Sequence, residues 1–263
     1  MMSSVSKSFW LQFLPCVITG CVAIVLLLLG IIPAYYLIAT FIMWVLIAGL
    51  GVAVGYHRVF SHKTYTLPVW KENILLFLGT LSGQGPSIFW VAVHRGYHHP
   101  HADKEKDIHS PNAHGRFQAF VGWQLLITEE KNPINLKYSV DLLRKKNHVW
   151  FLNHHIKVLW AVPLILAIFD WQLALVGFCL ASAIAVMQEN IVNVYGHWKT
   201  IFSYRNFNTP DKSQNNWLLG YITWGQSWHN NHHYNPKSFD FGKSISGKWW
   251  EWDPCKIFLP LLK

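Results

Sequence analysis

Histidine is the residue type that stands out in this chain, with 15 copies against 13 Asp and Glu residues together. Nine of the histidines lie in the motifs HRVFSH, HRGYHH, NVYGH and HNNHH, and they are His57, His62, His94, His98, His99, His197, His229, His232 and His233. On a helix, residues three and four apart share a face, so the last three could point toward one centre. Neutral imidazole is the commonest protein metal ligand and suits iron, copper and zinc. The motifs therefore predict a metal centre.

The number and type of these ligands indicate two redox metal ions. Eight or nine imidazoles are too many for one ion, because a structural zinc site closes with four ligands and a catalytic one uses three. The sequence has no HExxH, ExxH or CxxC motif, which argues against a zincin protease, a carboxylate di-iron bundle and a zinc ribbon. Haem is unsupported because the predicted span interiors lack axial histidines. An all-nitrogen pair of metals beside a membrane suggests oxygen chemistry on a lipid-soluble substrate.

Long apolar stretches must position these histidines. From Phe9 to Tyr56 there is no Asp, Glu, Lys, Arg or His, which is room for two membrane spans of about 20 residues each. A second hairpin is predicted between Phe151 and Val192, with its turn around Asp170. We expect an all-α integral membrane protein formed by one domain, 1–263. Its four spans are predicted at about 10–30, 34–56, 151–169 and 172–192, and a cytoplasmic helical cap comprises 57–150 and 193–263.

The basic residues predict the orientation of these spans. After Lys7 there is no Lys or Arg until Arg58, and none between Lys157 and Lys199. Positive residues near span ends mark the cytoplasmic face, so both termini are predicted to be cytoplasmic. The net charge of +9 then reflects topology and anionic lipid headgroups, and no nucleic-acid motif is present. We predict a multi-pass protein of the bacterial inner membrane, with the endoplasmic reticulum as the alternative.

One uncharged segment, Asn73–Val93, is about as long as a span but contains several Gly, Ser and Pro residues. If it crossed the membrane, Arg58 and Arg95 would face opposite sides. We therefore predict a helix or broken helix at the interface or under the cap. His148, His154 and His155 are predicted to be interface residues at the start of the third span.

Several motifs together resemble one known family. HRVFSH is followed by Lys63, Thr64 and Tyr65, and Trp90 lies four residues before His94. Further matches are the runs Asp107–Ser110 (DIHS), Gly122–Trp123, Asn193–His197 (NVYGH) and HNNHHYNP. The chain is similar to the membrane fatty acid desaturases of the acyl-CoA delta-9 (stearoyl-CoA) type. A lone HxxHH would be weak evidence, but three histidine boxes in order are highly specific.

The resemblance implies a reaction and a set of iron ligands. Two iron ions, with O2 and two electrons, would remove two hydrogens from a long saturated acyl chain and leave a cis double bond, at delta-9 for this type. The implied ligands are His57, His62, His94, His98, His99, Asn193, His197, His229, His232 and His233, with Asn193 reaching one iron through water. Trp90, Trp123, Trp224 and Trp228 are candidates to line an acyl tunnel.

The second box departs from the family pattern. It usually reads HxxHH, whereas this chain has HRGYHH, one residue longer. On a regular helix His94 and His98 would lie about 40 degrees apart, His99 about 140 degrees from His94, and His101 within about 20 degrees of it. Helical phase thus favours His101, and the resemblance favours His99. We predict His94, His98 and His99, with a one-turn π-bulge around Gly96.

Two other functions stay open at this point. A membrane di-iron hydroxylase or oxidase of alkyl, sterol or carotenoid substrates uses similar histidines, and a non-enzymatic membrane metal-binding protein would consume no O2. For the desaturase, the partners are the lipid bilayer, a long acyl chain on CoA or a lipid, and an external electron donor such as ferredoxin, rubredoxin or cytochrome b5. Chain length, double-bond position, acyl carrier and the identity of the donor are left undetermined.

Overall fold

The computed structural model describes residues 9–126 and 134–263. Most of the described chain is helical, and one antiparallel pair joins β1 (Ser203–Tyr204) to β2 (Asn215–Asn216). The helices are, in chain order, α1 (Trp10–Leu28), α2 (Ala34–Ser61), α3 (Val69–Thr80), α4 (Ser87–Val93), α5 (His99–His101), α6 (Pro111–His114), α7 (Trp123–Leu126), α8 (Val140–Leu143), α9 (Lys146–Phe169), α10 (Leu173–Tyr195), α11 (Leu219–Ile222), α12 (His229–Tyr234), α13 (Lys243–Ser246) and α14 (Leu259–Leu262).

Four helices of the described chain are long and apolar enough to cross a membrane, namely α1, α2, α9 and α10. The predicted all-α membrane fold with four spans is confirmed. Large apolar side chains on these helices point outward, and Leu28, Ile168 and Phe169 are 77–84% exposed. Such surfaces are stable against lipid and would be unfavourable in water.

The two membrane hairpins are joined at the end where their turns lie. The Tyr36 hydroxyl donates to Asp170 Oδ2 at 2.6 Å, and Thr40 Oγ1 donates to the Val176 carbonyl at 2.7 Å. These bonds hold the start of α2 against the start of α10. The carboxyl ends of both helices, which carry histidine motifs, therefore lie together at the opposite end of the bundle.

The helices extend further toward the histidines than predicted. The second span was expected to end near residue 56, but α2 continues to Ser61 and includes His57 and Arg58. Likewise α9 begins at Lys146 and α10 ends at Tyr195. A helix need not end at its first polar residue when protein groups bond that residue, and the buried Arg58 guanidinium has such partners in Asp253 and three carbonyl groups.

The uncharged segment Asn73–Val93 forms a broken helix, as predicted. Helix α3 ends at Thr80, and α4 begins at Ser87 after a turn in which Gly83 and Gly85 have φ values of +71° and +87°. Arg95, just beyond α4, donates from Nε to the Ser61 carbonyl at 2.7 Å. The segment therefore returns to the end of α2 where it started and does not cross the bundle.

The remaining described chain folds over the carboxyl ends of α2 and α10. Trp224 and Phe258 from this part join the main hydrophobic core, which also contains Ile47 of α2 and Leu76 of α3. His148, predicted to lie at the interface, is instead fully buried at the start of α9, where its Nδ1 is 2.9 Å from Ser87 Oγ. Burial against α4 explains why a histidine near a span end does not face the headgroups.

Candidate metal centre

Five histidines from three segments of the chain bring their ring nitrogens to one point. Helix α2 supplies His57 and, just after its last residue, His62; the second box supplies His94 and His99; and α12 supplies His232. One ring nitrogen of each lies within 4.8 Å of the corresponding atoms of the other four. We refer to this group as the five-imidazole cluster.

Four further histidines form a second group beside the first. They are His98 of the second box, His197 just after α10, and His229 and His233 of α12. Their ligand atoms also lie within 4.8 Å of one another, with the Nε2 atoms of His197 and His229 at 3.1 Å and those of His98 and His233 at 3.2 Å. We refer to this group as the four-imidazole cluster.

The second box divides its histidines between the two clusters. His94–His98 is a π-helical turn, closed by a hydrogen bond from the His99 amide to the His94 carbonyl five residues earlier. The predicted bulge is therefore present. It rotates His99 back toward His94, and their Nε2 atoms are 3.1 Å apart. His101 belongs to neither cluster within the described residues.

Gly96 is required at the centre of this turn. A Cβ atom there would overlap the ring of Tyr138, which packs directly on the glycine backbone. Gly96 thus has two roles: it makes the bulge conformationally accessible, and it lets the second box pack closely against Tyr138 in the segment before α8.

Carboxylates orient the rings of the four-imidazole cluster. Nδ1 of His98 is 3.0 Å from Asp107, Nδ1 of His197 is 3.1 Å from Asp103, and Nδ1 of His233 is 2.8 Å from Asp211. Because a carboxylate only accepts hydrogen bonds, each Nδ1 carries the proton and each Nε2 presents its lone pair to the centre. This arrangement fixes the tautomer and strengthens the ligand.

These carboxylates stay ionised in spite of their burial. Burial opposes ionisation, but the hydrogen bond from His233 holds the pKa of Asp211 far below its usual range. His109 and His98 act in the same way on Asp107, whose pKa is also strongly lowered. His109, which the resemblance does not count as a ligand, lies with its Nδ1 3.1 Å from Asp107.

The five-imidazole cluster is supported by a neutral amide instead. Among the described residues, no carboxylate accepts a hydrogen bond from its five rings. His57 Nδ1 donates to Gln226 Oε1 at 2.7 Å, and the Gln226 amide donates in turn to Glu189. His232 Nδ1 is buried and has no hydrogen-bond partner in the described ranges 9–126 and 134–263. The two clusters therefore differ in the charge that surrounds their ligands.

The chemistry of the donors fits metal ions. Nε2 atoms of His62 and His94 are 2.8 Å apart, and those of His99 and His232 are 3.0 Å apart. Burial lowers the pKa of His94, His99 and His232 well below the ordinary value, so these rings are neutral. Five neutral rings cannot all satisfy one another by hydrogen bonds at one point, and a cation between their lone pairs removes the conflict. An all-imidazole donor set suits iron.

The tenth predicted ligand, Asn193, lies near the end of α10, four residues before His197. It is half-buried and lines a cavity of about 120 Å³ beside the clusters. His94 and His57 of the five-imidazole cluster and His98 and His229 of the four-imidazole cluster line the same cavity.

Aromatic and aliphatic side chains line this cavity together with polar ones such as Gln84, Gln124 and Glu189. Phe13, Phe89, Trp90 and Trp123 line it, so two of the four predicted tunnel tryptophans contact the cavity. The other two do not. Trp224 packs against Trp44, and Trp228 packs on the backbone of Gly220.

Sequence reasoning missed several residues that support the clusters. Asp103 and Asp211 lie in stretches without regular spacing, so nothing in the sequence pairs them with a histidine. Gln226 could have been identified from the sequence. It lies three residues before His229, the first residue of α12, and is therefore close to a histidine motif. Glu189 could also have been identified, as a carboxyl group in a predicted span.

The chain matches known proteins over most of its length. The family model described as fatty acid desaturase matches residues 33–238. The chain is 31% identical over 214 residues to the sn-1 stearoyl-lipid 9-desaturase of Synechocystis sp., covering 81% of this chain and 64% of that protein. It is 31% identical over 218 residues to the sn-2 palmitoyl-lipid 9-desaturase of Nostoc sp., covering 80% of this chain and 74% of that protein.

A third relative is named for a different activity from the two 9-desaturases. It is the hex-5-enoyl-(acyl-carrier protein) acetylenase of Moorena producens, 32% identical over 231 residues, which cover 80% of this chain and 68% of that protein. The family match contains all nine clustered histidines and most of the chain. We conclude that the chain belongs to the fatty acid desaturase family.

Proposed function

We propose that this protein is an oxygen-dependent fatty acyl desaturase that introduces a cis double bond, at delta-9, into a long saturated acyl chain. One observation carries the proposal: a largely apolar cavity is lined by histidines of both clusters. A chain in this cavity would lie against both metal sites at once. Family membership and the named activities of the relatives support the same reaction.

The five-imidazole cluster would hold one iron ion, and the four-imidazole cluster, with Asn193 acting through water, would hold the other. With O2 and two electrons, such a pair supplies an oxidant strong enough to take hydrogen from a methylene group. The protein then has to choose the methylene. A methylene offers no polar handle, so its position is set by how far the chain reaches along walls such as Phe89 and Trp90.

The protein residues also keep the reaction dry. Trp90 lies within ring-contact distance of His94, with ring centroids 5.0 Å apart, and Phe241 covers His232 at 4.2 Å. Both clusters are largely buried, so few waters can compete for the oxidant. Hydrogen bonds to Asp103, Asp107 and Asp211 hold three rings of the four-imidazole cluster in one orientation, so these rings need not turn during the reaction.

For the acyl carrier, we propose a membrane lipid. The sequence motifs resemble acyl-CoA enzymes, but the names of the Synechocystis and Nostoc relatives specify lipid-bound substrates. The Moorena relative is named for a substrate on acyl-carrier protein, so the carrier needs a direct test. We further propose that residues 1–263 act as one domain in the bacterial inner membrane, with cytoplasmic termini and electrons from an external carrier such as ferredoxin, rubredoxin or cytochrome b5.

Expression in a desaturase-deficient bacterium tests the proposal. Gas chromatography of the fatty acids with double-bond location should show a new cis alkene, and separation of lipid classes should show it first in intact membrane lipids. His232→Ala should give no product, and His154→Ala should resemble the wild type, since among the described residues His154 lies in neither cluster and its Nδ1 bonds to the Trp150 carbonyl.

The competing functions give different results in the same experiment. A hydroxylase would give an alcohol without an alkene. A metal-binding protein without enzyme activity would give neither product and would consume no O2 with any reductant. Either outcome would overturn the proposed desaturase function.

A further inference from the structure

Residues 239–258 lie beyond the family match, which ends at 238, yet they pack directly on two histidine motifs. We propose that two buried carboxylates of this segment, Glu251 and Asp253, are positioning residues for the five-imidazole cluster. The inference rests on the proposed function only in assuming that this cluster binds a metal ion. We refer to residues 239–258 as the C-terminal strap.

Asp253 fixes the motif HRVFSH through its arginine. The Arg58 guanidinium donates to Asp253 Oδ2 at 2.7 Å, and both side chains are fully buried. Arg58 also donates from Nε to the Phe239 carbonyl at 2.7 Å and from a terminal nitrogen to the Ala53 carbonyl at 2.8 Å. Because Arg58 directly follows His57, this pairing ties the helix that carries two ligands to the strap.

Asp253 has no freedom to leave this position. Its Oδ2 also accepts from the Phe241 amide at 2.8 Å, and its Oδ1 accepts from the Cys255 amide at 2.9 Å. Gly225 lies against the carboxylate, and a Cβ atom there would overlap it. The carboxylate is thus held from several sides and can serve as a fixed anchor for Arg58.

Glu251 fixes the motif HNNHH in a parallel way. The side-chain amide of Asn231, the residue before His232, donates to Glu251 Oε2 at 2.6 Å and to the Phe241 carbonyl at 2.9 Å. Tyr204 and Asn206 also donate to Glu251, at 2.7 and 2.9 Å. Both strap carboxylates therefore bond a neighbour in sequence of a ligand in the five-imidazole cluster.

Phe241 completes the contact between the strap and the cluster. Its ring lies 4.2 Å from the ring of His232 and 5.3 Å from that of His57, measured between centroids. The Arg58 guanidinium covers the phenyl ring at 4.0 Å. The Phe241 ring of the strap thus lies against two ligands, His57 and His232, and strap carboxylates accept hydrogen bonds from their sequence neighbours Arg58 and Asn231. No such contact joins the strap to the rings of the four-imidazole cluster in the described part of the chain.

Outer-shell partners of metal ligands commonly change metal affinity by about 10- to 100-fold when they are mutated. The proposal therefore predicts that Asp253→Asn and Glu251→Gln each weaken one of two metal sites by about this factor. Phe241→Leu, which keeps a large apolar side chain and every hydrogen bond, should weaken the same site. A purely structural role would lower the occupancy of both sites together.

The experiment uses the full-length protein, purified in detergent and shown to be monodisperse. Cobalt(II) is titrated anaerobically, and the bound metal is counted by elemental analysis after separation from free metal. The visible Co(II) bands of five-nitrogen and four-nitrogen sites differ, so they report which cluster is filled. Glu105→Gln is the control, because it removes an exposed carboxylate that takes no part in the strap contacts described above.

Selective loss of the five-nitrogen spectrum in the strap variants, with the control unchanged, supports the proposal. Two sites of unchanged affinity in Glu251→Gln and Phe241→Leu overturn it, even if Asp253→Asn fails to fold. Equal loss from both sites also overturns it. A wild-type protein that binds no cobalt contradicts the proposed function itself, which separates the two failures.

Discussion

The Nε2 atoms of His99 and His232 lie 3.0 Å apart, although 133 residues separate them in the chain. The contact depends on the π-helical turn His94–His98, since without it His99 would lie about 140 degrees around the helix from His94. One inserted residue therefore decides whether His99 reaches His94 and His232 in the five-imidazole cluster.

We expect His99→Ala to lose one metal ion and all desaturase product, because it removes a ligand from the five-imidazole cluster. His101→Ala should keep both metal ions and most of the activity, since His101 belongs to neither cluster. Iron content and turnover of the purified variants measure this. If His101→Ala loses the iron and His99→Ala keeps it, the ligand assignment is wrong.

Gly96→Ala should disturb the second box by steric overlap with Tyr138. Overpacking of this kind costs about 1–3 kcal/mol in unfolding free energy, and the π turn should also shift, lowering metal content. Thermal unfolding and iron analysis give the two values. The double variant with Tyr138→Ala removes the overlapping ring and should recover metal binding. Failure to recover would mean that the glycine acts through backbone freedom alone.

Asp211→Asn should weaken the four-imidazole cluster and leave the five-imidazole cluster unchanged. The amide can no longer hold the proton on His233 Nδ1 as firmly, and affinity should fall by about 10- to 100-fold at that site. Competition with a chelator of known affinity measures the change. Glu105→Gln serves as the matched carboxylate control, and equal weakening of both sites would contradict the assignment.

Metal removal should lower the stability of the folded protein. A ligand present at 100 times its dissociation constant stabilises by about 2.7 kcal/mol for each site that binds only the folded state. Thermal unfolding in detergent should therefore shift down after chelation and recover when Fe2+ is returned under anaerobic conditions. His154→Ala should show the full shift, while His232→Ala should show a reduced one. Identical curves with and without metal would argue against both metal sites.

Reporter fusions test the orientation of the spans. Fusions at Pro33 and Asp170 should read outside, and fusions after Lys104 and at Lys263 should read inside. Lys7, which also supports this orientation, lies outside the described residues. An outside signal from the fusion after Lys104 would place the second box on the opposite membrane face from the other histidine motifs. The motifs could then not form a common metal centre.

The sequence predicted most of the elements for a physical reason that acts locally. Two long apolar stretches and the gaps between basic residues are enough to define four spans, because lipid excludes unpaired charge. It was less successful at the ends of the spans. The helix α2 continues through His57 and Arg58 because Asp253, 195 residues away, neutralises the arginine. A local sequence pattern cannot predict a partner so distant in the chain.

The clustered histidines could be predicted from the sequence alone, since the four motifs contain all nine of them. Their division into a cluster of five and a cluster of four depends on the tertiary structure. His98 and His99 are neighbours in the chain but face different clusters, because the π turn and the approach of α12 rotate and pair them. The supporting Asp103, Asp211, Glu251 and Asp253 likewise reach their partners only through folding, since hydrogen bonds depend on distance in space and not on distance along the chain.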